Sequence, residues 1–171
     1  MTVALAAGLL HSVARAAAPF SFTAPATFRA PLISHARMGT TYAYLPDDSA
    51  ETLRLTITAM PASEVRAHLG RLSSAECTAL FVDALRDAHQ QFFVAAQERS
   101  LSLGAHALVQ RRWTGEKDGK AVTGIVACAE IDGYYYAVDF IDELHDALHS
   151  FPSIRTSLRR FSTRSRADAR P

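Results

Sequence analysis

The sequence predicts an α+β domain in which an antiparallel sheet is covered by helices, and three observations carry that prediction. Thr52 to Ala59 alternates apolar and polar residues, the pattern of a half-buried strand. From Ser73 onward apolar residues recur at helical spacing for more than twenty positions. The strand-like runs come in groups separated by turn sequences, with the helical stretches set apart from them. The order read from the chain is βββ-α-βββ-α. A doubly wound nucleotide fold needs βαβ crossovers, and the pattern contains none.

The elements follow in order. Phe20-Ser21-Phe22 alternates up to Pro25, Phe28 opens a short apolar piece, and Thr40 to Leu45 is rich in Thr and Tyr before the turn cluster Pro46-Asp47-Asp48. The alternating strand of 52–59 ends at Pro61. Ser73 and Glu76 form a capping box, in which each side chain satisfies a backbone N–H at a helix start. Cys77, Leu80, Phe81, Ala84, Leu85, Ala88, Phe92 and Ala96 then make one apolar stripe, so the helix is expected to run to about residue 97. Strands are expected at 105–113, 121–131 and 134–141, with a polar loop over 114–120 and a two-residue turn at Asp132-Gly133. A closing helix should begin near Asp142 and break at Pro152, with Ser150 capping a second piece that presents Ile154, Leu158 and Phe161.

Composition bounds the class. The chain has 171 residues, 49% hydrophobic and 20% charged, enough to bury a core of its own and unlike a disordered chain. Its net charge of +1 hides an asymmetry, because residues 155–171 carry six Arg against the single Asp168. Val3 to Leu10 is a short apolar run followed by the small-residue stretch Ala14 to Ala18, the layout of a secretory signal peptide. No basic residue stands between Met1 and His11, which departs from that layout, and an attached amphipathic helix is the other reading. The division is therefore 1–18 signal peptide, 19–162 a single domain, and 163–171 a disordered basic tail. The expected location is periplasmic or secreted, with the cytoplasm as the alternative. Cys77 and Cys128 are the only cysteines; they either bridge, as export would permit, or pack as two buried thiols.

The opening Phe20-Ser21-Phe22 with Pro25 and Phe28 is one part of a family-like pattern. The long helix between strand groups, Trp113 before a Gly-bearing loop, and Ser150-Phe151-Pro152 leading into Ile154 and Leu158 complete it. Over about residues 20–161 the chain resembles the PsbP-like superfamily. The resemblance implies an α/β/α sandwich used for protein contact or chaperoning in exported proteins. It implies no shared catalytic residue, and the chain is expected to carry no cofactor.

Candidate chemistry is sparse. His145 and His149 stand at i and i+4, which on one helix face would let both reach a metal, with His89, His106 or Asp142 as a third ligand. Asp146 replaces the Glu of the zinc-protease motif and is too short to act in the same way. Cys77 sits on the first turn of a helix, where a thiol is activated, yet it belongs to the apolar stripe. The pairs Asp139 with Asp142 and Glu130 with Asp132 could share acid–base work, although acids at strand ends are ordinarily solvated. Alternation puts Tyr134 and Tyr136 on one face of a strand and Tyr135 on the other. Tyr135, Trp113, Arg111 and Arg112 are the candidates for a binding patch. The reading is an exported, non-enzymatic binding or assembly-assisting domain with an envelope protein as partner, no nucleic acid and no transmembrane span. The alternative is a small metal-dependent hydrolase centred on His145 and His149.

Overall fold

A computed structural model describes residues 18–47, 52–96 and 99–164. The elements are β1 (Phe20–Ser21), β2 (Leu32–Ala36), β3 (Gly39–Tyr44), β4 (Arg54–Pro61), α1 (Ala62–Leu69) and α2 (Ser74–Ala88). They continue with β5 (Gln90–Val94), β6 (Arg99–Leu103), β7 (His106–Lys117), β8 (Lys120–Ile131), β9 (Tyr134–Glu143), α3 (Ala147–Leu158) and β10 (Ser162–Thr163). One antiparallel sheet of eight strands runs β2-β3-β4-β9-β8-β7-β5, with β6 pairing the other half of the long β7. The chain is thus α+β with helices packed on an antiparallel sheet, but the expected βββ-α-βββ-α order is too simple.

The alternation of β9 divides the core. Tyr136, Val138 and Phe140 face one side with Leu55, Ile57, Ile125 and Leu108, covered by Phe151, Ile154 and Leu158 of α3 and by Phe20 and Phe161. Tyr135, Ala137 and Ile141 face the other side, where α1 and α2 close two smaller clusters with Val65, Cys77 and Val82. Helices therefore lie on both faces of the sheet. Among the described residues, no helix is long and apolar enough to cross a membrane.

Several expectations are corrected. The stripe that begins at Cys77 does not stay helical to residue 97. The capping box forms as read, but α2 stops at Ala88 and the chain becomes strand β5. Gln91 takes a left-handed φ of 47°, which turns Phe92 toward Trp113 and leaves Phe93 outside. An extra helix, α1, fits between Pro61 and Gly70, whose φ of 77° ends it. The polar segment 114–120 is strand on either side of a two-residue turn, Asp118-Gly119, whose two positive φ values match those of Asp132-Gly133. Pro152 sits inside an unbroken α3 rather than splitting it. The N–H it lacks would have reached the carbonyl of Leu148, a residue 74% exposed, so no buried acceptor is stranded. Thr163 is not tail: β10 pairs with β1, and the Arg164 N–H donates to the Pro19 carbonyl at 2.9 Å. Most of the expected signal peptide, residues 1–17, and the tail beyond 164 lie outside the described residues.

Cys77 and Cys128 are joined as a disulfide, with Cα atoms 5.6 Å apart, tying α2 to β8. The neighbouring Thr78 hydroxyl accepts from the Cys128 N–H at 3.0 Å. Cys77 is therefore not a reactive thiol.

Candidate functional site

The expected aromatic and basic patch does not assemble. Trp113 is 1% exposed and packs against Val82, Val122, Val126 and Ile141, with the His89 ring 4.6 Å away. Tyr135 is fully buried, and its hydroxyl donates to the Leu72 carbonyl at 2.8 Å and accepts from the Leu72 N–H at 3.1 Å. Both are core because α1 and α2 cover the sheet face they share. Arg111 is half-buried on the same face as Trp113, whereas Arg112 is exposed on the opposite one.

The paired histidines are corrected as well. His145 lies in the turn before α3, so the i, i+4 helical relationship with His149 does not exist. The buried stripe of α3 is Ala147, Phe151, Ile154 and Leu158, and Leu144 and Leu148 are exposed. His145 instead meets Asp146, Nε2 to Oδ2 at 3.2 Å, and one donor atom each of Glu143, His145 and Asp146 falls within 4.8 Å of the others. His149 is not part of that group. His89 caps α2, with Nδ1 2.7 Å from the Leu85 carbonyl oxygen, and His106 opens β7 at another hairpin. Asp139 and Asp142 point to opposite faces of β9, so they share no proton. Glu130 pairs with Arg66 and Asp132 accepts from Thr163, so the second carboxylate pair is also separated.

A real concavity forms where β9 gives way to α3. This cleft of about 730 Å³ is lined by Phe28, Pro46 and Leu53 at its apolar part and by Asp47, Asp142, Glu143 and Asp146 at its polar part, with His149 and Ser150 from α3. Its walls come from chain positions more than a hundred residues apart, which no local pattern reveals. Asp142 is 4% exposed, and its carboxylate accepts from the Glu143 N–H at 2.8 Å and the Ser150 hydroxyl at 2.6 Å. No ion pair among the described residues involves it. The positive end of the α3 dipole partly compensates its charge. Glu143 is held below the usual carboxylate range by its hydrogen bonds from Lys120 and Thr52. Asp47 is paired with Arg29 at 3.2 Å.

The far end of α3 has the opposite charge. Arg155 donates to the buried Gln110 at 2.9 Å, and Arg99 stands across from Gln110 in the β6–β7 register. The run of six Arg in 155–171 hinted at this corner, but the contributions of Arg99 and Arg112 depend on strand register.

The sequence matches no protein-family model, and no curated protein resembles it in sequence. Among solved structures it is similar to LpqN of Mycobacterium tuberculosis, described as involved in cell envelope biogenesis. That similarity has a TM-score of 0.52 at 13% identity, over 85% of this chain and 83% of LpqN. It is also similar to the Ran-binding protein Mog1p of Saccharomyces cerevisiae, with a TM-score of 0.57 at 9% identity, over 87% of this chain and 92% of Mog1p. At these identities the likeness is one of fold.

Proposed function

We propose that this chain is an exported, non-enzymatic domain that binds or helps assemble a partner protein of the cell envelope, holding a basic segment of that partner in the cleft at the start of α3. The observation that carries the reading is the cleft itself: an apolar floor beside four carboxylates, with Asp142 buried and in no ion pair among the described residues. A Lys or Arg beside an apolar side chain satisfies both halves of such a surface. Leu144 and Leu148, 46% and 74% exposed, flank it in sequence and offer further apolar contact.

The fold shared with LpqN and Mog1p supports a binding role, since their descriptions speak of envelope biogenesis and Ran binding. Membership of the PsbP-like superfamily is part of the same reading, supported by helices on both faces of an antiparallel sheet. The Cys77–Cys128 disulfide supports export, because such bonds persist in oxidising compartments. Residues 1–18 serve as the signal in this reading.

The test is affinity capture from envelope extract of the producing organism, comparing wild type with Asp142→Asn and Asp146→Lys, and with Glu64→Lys on α1 as control. A partner kept by wild type and the control but lost by both cleft variants is expected. An identical set of captured proteins for all four would overturn the assignment. Sequencing the mature N-terminus tests export separately, and retention of Met1 would remove it.

A further inference from the structure

The cluster at the C-terminal end of α3 has no role in the reading above, and its geometry is unusual. Four arginines from three elements converge on this corner, where Gln110 is only 2% exposed. Arg99 of β6 is its cross-strand partner, and Arg112 is the next residue of β7 on the same face. Arg155 bonds to its side chain, and Arg159 follows one turn later on α3. None of the four takes part in an ion pair among the described residues. Burial first, and then the fields of Arg112, Arg99 and Arg159, hold Arg155 below the ordinary arginine range.

Like charges so placed repel one another, and the last turn of α3 offers only a partial negative charge in return. Beside them is an exposed aromatic. Phe93 of β5 is paired with Thr114, one alternation beyond Arg112 on the same face, and is 70% exposed. A protruding ring next to a field of guanidinium groups fits a layered surface, anionic outside and apolar beneath.

We infer that this end of the molecule, formed by Arg99, Arg112, Arg155, Arg159 and Phe93, docks on an anionic phospholipid surface. The arginines would meet the headgroup phosphates while the Phe93 ring enters the interfacial layer. An acidic protein could satisfy the charges, but it gives the isolated Phe93 no defined destination; the lipid surface accounts for both. The acidic cleft at the other end of α3 would then point away from the membrane, free for a partner.

The experiment is sedimentation of the full, oxidised chain with phosphatidylcholine vesicles and with mixed phosphatidylcholine–phosphatidylglycerol vesicles. Binding to the mixed vesicles alone is expected, and it should disappear as salt shortens the range of the charges. Arg112→Gln and Arg159→Gln, both at exposed positions, should each weaken it about five-fold, and Phe93→Ser should weaken it further. Arg66→Gln on α1, outside the patch, should leave it unchanged. Inorganic phosphate at millimolar concentration should not compete, since a surface and not a single phosphate is recognised. Competition by phosphate would overturn the surface reading, as would equal binding to both vesicle types or no binding to either. So would an Arg112→Gln, Arg159→Gln double variant that sediments like wild type. Capture of a polyglutamate peptide without vesicle binding would reassign the patch to an acidic protein.

Discussion

Gly124 lies against the face of the Trp113 indole: a Cβ placed on Gly124 would stand 2.4 Å from Cε2 and Cζ2 of the ring. The two residues are cross-strand partners on β8 and β7, beneath α2. Only a residue without a side chain lets the indole lie flat on the sheet, so Gly124 is there for packing and not for a turn.

Gly124→Ala should therefore push the indole toward α2 and destabilise the fold by roughly 1–3 kcal/mol, the usual cost of overpacking a core. Trp113 is the single tryptophan, so its fluorescence reports the change directly. A lower urea midpoint with a shifted emission maximum is expected; an unchanged spectrum and midpoint would refute the contact.

Replacing both Cys77 and Cys128 by Ser should cost about 4 kcal/mol, from the loop entropy the bond removes from the unfolded chain. The bond spans a sequence separation of 51. Urea unfolding of the double variant beside the oxidised wild type checks the figure, and equal midpoints would contradict it.

Asp139 gives the stability a pH dependence. Burial raises its pKa from 3.8 to about 6, with Arg54, at 3.7 Å, opposing the shift. The folded state thus holds this proton more tightly than the unfolded one. The stability it contributes is complete below the unfolded value and is lost as pH rises through about 6. The change should be on the order of 3 kcal/mol across that window. Asp139→Asn should flatten the slope, as read from urea midpoints on either side of the transition. A variant with the wild-type slope would show that another group is responsible.

Tyr135→Phe leaves both the N–H and the carbonyl of Leu72 without their side-chain partner, in the connection between α1 and α2. A loss of about 1–3 kcal/mol is expected, with faster hydrogen exchange over 70–73 than elsewhere. Uniform exchange rates would argue against a local role for the hydroxyl.

Much of the fold was legible because its signals are local. The alternation of 52–59, the Ser73/Glu76 capping box and the Asp132-Gly133 turn each fix structure within a few residues, and each formed as read. What failed had two local solutions. Phe92 and Ala96 fit helical spacing, yet Phe92-Phe93-Val94 also fits an edge strand, and the contact with Trp113 decided between them. Pro152 suggests a break through its missing N–H, and only the exposure of Leu148 explains why the helix continues through it. The cleft was invisible, since Phe28, Leu53 and Asp142 meet only after the sheet has formed. The arginine corner was half visible: Arg155 and Arg159 share one side of a helix by spacing, but bringing Arg99 and Arg112 to them needs the β6–β7 register. Strand parity alone already sets Arg112 opposite Trp113, so a patch joining the two was excluded by the pattern itself.

Strands β4, β8 and β9 serve as a common wall, since alternate residues of β9 belong to the hydrophobic clusters on opposite sides. Neither side can melt while the other stays intact, because the backbone that would have to loosen is the same. Heating should accordingly give one calorimetric peak, and proteolysis should yield no surviving half-domain. The same sharing couples the two cores: a substitution in β9 that improves the fit to α3 is felt at once beneath α2.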